Sequence, residues 1–163
     1  MPDRRRRPRR AAPAPPELPA GPVPTSTATA ELRQDGPGQV TLLLDGTEAS
    51  GIDLADPAQV PFEYMQHMLA VLDAAHPGAT PVRALHLGGA GCALARAVEA
   101  RRPGSTQLAV EIDAELARLV REWFDLPRSP RLRIRTGDAR AVLGSLTGPA
   151  WDLVVRDVFA GGE

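Results

Sequence analysis

The stretch Ala84–Asp113 constrains this chain more than any other, because it reads as a strand, a glycine-rich loop, a helix and a second strand in immediate succession. The short apolar run at residues 83–87 stops at Gly88-Gly89-Ala90-Gly91, and Ala93, Leu94, Ala97 and Val98 then recur at helical spacing until Arg101-Arg102-Pro103-Gly104. Leu108-Ala109-Val110 is a second strand of the buried type, with Glu111 at its carboxyl end. Glycines between a strand and a helix allow a tight turn and close approach of a ligand to the main chain. The helix amino terminus supplies free N–H groups at the same place. An acid about twenty residues on, at the tip of the neighbouring parallel strand, can accept from ribose hydroxyls. The loop alone is a common turn; combined with Glu111 it predicts a nucleoside-binding crevice that uses Gly88, Gly89 and Gly91.

The dinucleotide pattern G-x-G-x-x-G would need a third glycine at position 94, where Leu94 stands. That bulk keeps helix and strand apart and argues against a pyrophosphate on this helix. An S-adenosyl-type sulfonium is the competing ligand, bound by a doubly wound fold with the same glycine loop and second-strand acid.

Charge divides the chain unevenly. Arg4, Arg5, Arg6, Arg7, Arg9 and Arg10 supply six of the 19 basic residues, none of which is Lys. The remaining 153 residues carry 13 basic against 19 acidic groups, a net of −6. Such a body is unsuited to nucleic acid and suited to cationic substrates. Residues 1–36, rich in Arg, Pro and Ala, are expected to be a disordered tail. The sequence lacks a secretory-signal core and any apolar run of membrane-spanning length. With the single Cys92, this points to a cytoplasmic protein without disulfides or a membrane partner. Cys92 is expected to be a small buried residue rather than a nucleophile.

Residues 37–78 read as a small module. Val40–Leu44, Asp45-Gly46 and Thr47–Leu54 form a β-hairpin with a primed turn. Phe62, Met65, Met68, Leu69 and Leu72 then share one helical face. His67 is expected to be an ordinary surface residue. Residues 79–163 continue the nucleoside unit. A helix follows Asp113, and the strand at 131–136 alternates Leu132 and Ile134 with arginines, a pattern suited to the sheet's outermost strand. At its end Asp138 can accept from an adenine amine while the Ala139 N–H reads the ring nitrogen beside it; Asp138 is equally a helix cap. The strand Trp151–Arg156 delivers Asp157 to the edge that faces the crevice in an open α/β sheet. The fold class is therefore α/β, a Rossmann-like parallel sheet of the class I methyltransferase type, incomplete, and preceded by a hairpin-and-helix module.

The succession LLLDG, FEYMQHM, HLGGAGCALAR, VEID, GDA and DLVVRDVFAG resembles the polyamine aminopropyltransferases, the spermidine synthase family, from about Gln39 to the last residue. That resemblance implies an enzyme that moves an aminopropyl group from decarboxylated S-adenosylmethionine to a small cationic amine, with no metal. It implies that Glu111 binds ribose, that Asp138 and Ala139 bind adenine, that Asp157 holds the attacking amine and takes its proton, and that Tyr64 lies near the acceptor. Gly91, Ala49, Ala160 and Met65 stand where the family commonly has polar residues. The family's sheet also runs on past the strand at Trp151. The chain is accordingly expected to be a fragment, a homo-oligomer or one completed by another chain. An S-adenosylmethionine-dependent methyltransferase and a non-catalytic nucleoside-binding remnant are the alternative functions.

Overall fold

The computed structural model describes residues 17–158. Among the described residues eight strands form two sheets, and four helices accompany them. The first sheet is antiparallel, in the order β1 (Val23–Pro24), β2 (Thr29–Gly36), β3 (Gln39–Leu44), β4 (Thr47–Asp53). The β3–β4 turn places Asp45 at φ 48° and Gly46 at φ 79°, the two positive angles that a primed hairpin turn requires. Inward positions carry Ala30, Val40, Leu42 and Ile52, all at most 2% exposed.

The expectation that residues 1–36 form a disordered tail is corrected here, because β1 and β2 lie within that range and pair with each other and with β3. The module is thus a four-stranded sheet rather than a hairpin. Strand β2 turns only Ala30 and Leu32 inward among polar neighbours, and β1 contains a proline that an edge strand tolerates, so neither has a strong local signature. Residues 1–16, which hold the arginine run, lie outside the described residues.

Helix α1 (Glu63–Ala75) buries Met65, Leu69 and Leu72 on the face that the sequence predicts. The second sheet is wholly parallel: β5 (Arg83–Leu87), β6 (Thr106–Glu111), β7 (Arg133–Thr136) and β8 (Leu153–Arg156), in the order β7-β6-β5-β8. Crossover helices α2 (Ala93–Arg101), α3 (Ala114–Trp123) and α4 (Ala139–Ser145) connect them, as parallel strands demand. Successive side chains go to opposite faces. Leu85, Leu87, Leu108 and Val110 pack with Val142 of α4. Ala109 instead joins a larger cluster with Ala97, Val98, Leu116 and Val120.

That larger cluster also contains Ala30, Val40, Leu42, Ile52, Met65, Leu69 and Leu72, so both sheets are built around one continuous core. Two buried polar groups reinforce it. His86 pairs its Nε2 with Gln107 Oε1 at 2.9 Å, and burial pushes its pKa down to about 4. The Arg102 guanidinium, 1% exposed, donates to Asp73 at 2.8 Å and to the His76 carbonyl at 2.6 Å, joining the ends of α1 and α2.

As the alternation of arginines predicts, β7 is an outer strand. At the opposite edge β8 pairs only with β5 among the described residues, and its Val154 is 53% exposed. No helix among the described residues is long and apolar enough to cross a membrane.

Candidate functional site

Parallel strands point their carboxyl ends the same way, so Leu87, Glu111, Thr136 and Arg156 end at one edge of the sheet and the loops that follow them gather there. The first loop runs from Gly88 to Cys92. Gly88 has φ +94°, and a Cβ there would lie 2.0 Å from the carbonyl oxygen of Asp157, so only glycine lets the two strand ends approach this closely. The Asp157 N–H in turn donates to the Leu87 carbonyl at 2.8 Å. Gly91 is also closely packed. A Cβ there would meet the Ser50 Cβ at 2.8 Å, and the Gly91 N–H donates to Ser50 Oγ at 3.0 Å. The space beside Gly91 is therefore filled from β4, a strand of the other sheet.

The Glu111 carboxylate faces this loop. Its Oε2 accepts from the N–H groups of Gly89 at 3.1 Å and Ala90 at 2.7 Å, and its Oε1 accepts from the Asp113 N–H at 3.0 Å. A carboxylate offers about four lone-pair positions, so Glu111 retains capacity for a further donor. The Gly137 N–H donates to the Glu111 carbonyl at 2.9 Å, which brings the loop carrying Asp138 beside the same strand tip. Asp138 is exposed and caps α4, its Oδ1 accepting from the Ala141 N–H at 2.8 Å. Ala139 begins that helix, where main-chain N–H groups have no intrahelical acceptor.

Asp157 lies on the other side of the glycine loop. Tyr64, reaching over from α1, donates its hydroxyl to Asp157 Oδ2 at 3.0 Å. Burial first, and the neighbouring Asp157 charge second, hold the Tyr64 phenol well above the usual range, so it stays a neutral donor. The predicted site residues thus assemble at one edge: Gly88 to Gly91 at the centre, Glu111, Asp138 and Ala139 to one side, Asp157 and Tyr64 to the other. Residues 159–163, with Ala160, lie outside the described residues.

Cys92 is 4% exposed, and burial, with Glu111 adding to it, pushes its thiol up to about 12, so it packs as a small residue and is no thiolate. His67 has a side chain 75% exposed, 3.9 Å from Glu63, remote from this chemistry in its role as a surface residue. Among the described residues no group of three His, Cys, Asp or Glu could hold a metal ion.

Three features of the site escaped sequence reasoning. Ile112 exposes 60% of its surface directly after Glu111, an apolar face at a polar strand tip. Ser50 is buried against the glycine loop. Asp113, 2% exposed, receives Thr25, Ser26 and Thr27 from beyond β1 as well as capping α3. Its burial alone would raise its pKa, but the hydrogen bonds from Leu116, Thr25, Ser26 and Thr27 prevail and hold the carboxyl well below the ordinary range. Only the cap is visible locally. Two shallow depressions elsewhere, one of about 480 Å³ beside Asp73 and Arg101 and one of about 240 Å³ beside Arg83 and Trp151, contain none of these residues. The candidate edge is marked out by its converging groups.

A parallel sheet ordered β7-β6-β5-β8, with a glycine loop after its first strand and an acid at the tip of its second, defines a Rossmann-like α/β protein of the class I methyltransferase type. The crystal structure of a probable spermidine synthase from Corynebacterium glutamicum is 40% identical to this chain, with a TM-score of 0.80 over 90% of it and 54% of the bacterial protein. The chain is spermidine synthase-like, and it spans about half the length of that relative. A spermidine synthase in complex with the transition-state analogue AdoDATO superposes with a TM-score of 0.62 at 17% identity, over 85% of this chain and 46% of its own, a likeness of fold. Human methyltransferase-like protein 13, in complex with SAH, gives a TM-score of 0.52 at 27% identity, over 61% of this chain and 49% of its own. No protein-family model and no curated protein matches the sequence.

Proposed function

We propose that this chain serves a spermidine synthase-like aminopropyltransferase, binding decarboxylated S-adenosylmethionine beside Glu111 and a cationic polyamine beside Asp157. The observation that carries this reading is that one glycine loop touches both acids: Gly89 and Ala90 donate to Glu111, and Gly88 lies against the Asp157 main chain. Donor and acceptor bound on either side of that loop are brought together without competing for the same carboxylate. Glu111 accepts from ribose hydroxyls, Asp138 and the Ala139 N–H read the adenine edge, and Ile112 offers the base an apolar surface.

The chemistry suits these groups. A neutral amine nitrogen attacks the carbon attached to the sulfonium, the C–S bond breaks, and its electron pair remains on sulfur as methylthioadenosine leaves. The new ammonium gives its proton to Asp157. Positive charge on sulfur is lost along the reaction, so alignment of nitrogen, carbon and sulfur and a nearby carboxylate are what the protein has to supply. Tyr64 holds Asp157 while remaining neutral, which leaves the second carboxylate oxygen for the amine.

The likeness to a human methyltransferase-like protein in complex with SAH supports a second reading, transfer of a methyl group from S-adenosylmethionine in the same crevice. Incubation with decarboxylated donor and putrescine is expected to release methylthioadenosine. Release of S-adenosylhomocysteine from S-adenosylmethionine would favour the second reading. Calorimetry that detects binding of neither donor nor of methylthioadenosine would refute both.

A further inference from the structure

Glu111 is held by a residue that the proposed chemistry does not use. The Asp113 N–H donates to Glu111 Oε1 at 3.0 Å, so the position of the residue-113 main chain sets one oxygen of the ribose acid. The Asp113 side chain fixes that main chain from a distance. Oδ1 accepts from the N–H groups of Ser26 at 3.0 Å and Leu116 at 2.8 Å. Oδ2 accepts from the Thr27 N–H at 2.8 Å and from the hydroxyls of Thr25 at 2.6 Å and Thr27 at 2.8 Å. The Glu115 N–H also donates to Ser26 Oγ at 3.0 Å, so the strap bonds the start of α3 in both directions. A helix cap needs only one of these donors. The other four come from residues 86 to 88 positions earlier in the chain.

The geometry points to Asp113 as a positioning residue for the nucleoside ribose, clamping the Thr25–Thr27 strap of the first sheet to α3 and through its own N–H setting Glu111. This rests on the reading of Glu111 as the ribose acid. The carboxylate is chemically required, because each of its oxygens accepts from main-chain N–H groups, which cannot reverse their direction. An asparagine amide in either orientation places its NH2 against at least one such donor and leaves it without an acceptor. The strap then loosens and Glu111 loses its fixed place.

The test compares methylthioadenosine with its 2′-deoxy analogue by calorimetry, using the unaltered protein, Asp113→Asn and the double variant Thr25→Val/Thr27→Val. The unaltered protein should bind the ribonucleoside about tenfold more tightly, the worth of a hydrogen bond to a charged group. In Asp113→Asn that preference should fall to about twofold or less while the deoxy analogue loses little affinity. A merely structural role would weaken both ligands alike. The double variant keeps the three main-chain donors and should retain an intermediate preference, which also answers the question if Asp113→Asn does not fold. Absence of the preference in the unaltered protein would overturn the ribose reading and this inference with it. A full preference in the unaltered protein that persists in both variants would overturn this inference alone.

Discussion

Glu111 and Asp157 stand at the carboxyl ends of strands that flank β5 on either side, yet the molecule holds them in different ways. Glu111 accepts from three main-chain N–H groups, two of the glycine loop and one of Asp113, and Asp113 is itself fixed by the first sheet. Among the described residues Asp157 accepts from one side-chain hydroxyl, that of Tyr64, and the strand before it pairs on one side only. Main-chain donors are placed by the fold and cost little entropy to aim, whereas a single phenol hydroxyl is placed by the rotamer of one side chain. The Glu111 carboxylate, proposed to bind the nucleoside, is therefore preorganised within these residues. Among the described residues, Asp157 is held by Tyr64 and by the close contact at Gly88.

The largest expected effect lies at that contact. Gly88→Ala would drive a Cβ to 2.0 Å from the Asp157 carbonyl oxygen and should destabilise the fold by on the order of 3 kcal/mol or more, read as the midpoint of thermal unfolding. Gly78 has a similar positive φ but nothing within 4 Å of its missing Cβ, so Gly78→Ala should cost only about 1 kcal/mol. Equal shifts in the two variants would remove the contact from the account of how Asp157 is held.

A smaller effect is expected where the first sheet fills the loop. Gly91→Asp places a Cβ at 2.8 Å from the Ser50 Cβ, at a cost of about 1–3 kcal/mol. Combining it with Ser50→Gly should recover part of that loss, so the double variant should be more stable than the sum of the two single changes implies. Strict additivity would show that Ser50 does not set the space at this position.

The smallest effect concerns the Asp157 side and is spectroscopic. Tyr64 is the only tyrosine of the chain, so phenolate absorbance reports it alone in the folded protein. With its folded pKa raised, the Tyr64 pair contributes stability that is complete below the ordinary tyrosine value of about 10 and is lost as pH rises through the folded value. Titration should show little phenolate at pH values near 10. Asp157→Asn should move the midpoint down partway, because burial, the larger cause, remains. Asp113 has the opposite sign: its folded pKa is lowered, so its contribution is present above about 3.9 and is lost as pH falls through the folded value. Acid therefore loosens the Asp113 clamp behind Glu111, and base loosens the Tyr64–Asp157 pair. A phenolate midpoint near 10 would contradict the buried Tyr64–Asp157 pair.

Legibility followed the range over which each signal acts. The strand–loop–helix–strand unit was legible because its periodicity and its glycines are local, and the edge position of β7 was legible because its arginines alternate with apolar residues. The hairpin turn was legible because Asp-Gly tolerates positive φ. Strands β1 and β2 were hidden because two inward residues and several prolines carry no periodic signal, and they are strands only through pairing with β3. Ser50 and Arg102 read as surface types and are buried.

What the sequence determined by itself was which residues could reach the carboxyl edge of a parallel sheet, since strand direction and loop position follow from local pattern and chirality. Only the tertiary structure decided how firmly each is held there. The Asp113 strap, the Ser50 contact and the Tyr64 hydrogen bond join segments 41 to 93 positions apart, and no local propensity encodes a bond whose partners meet only after both sheets have closed on one core.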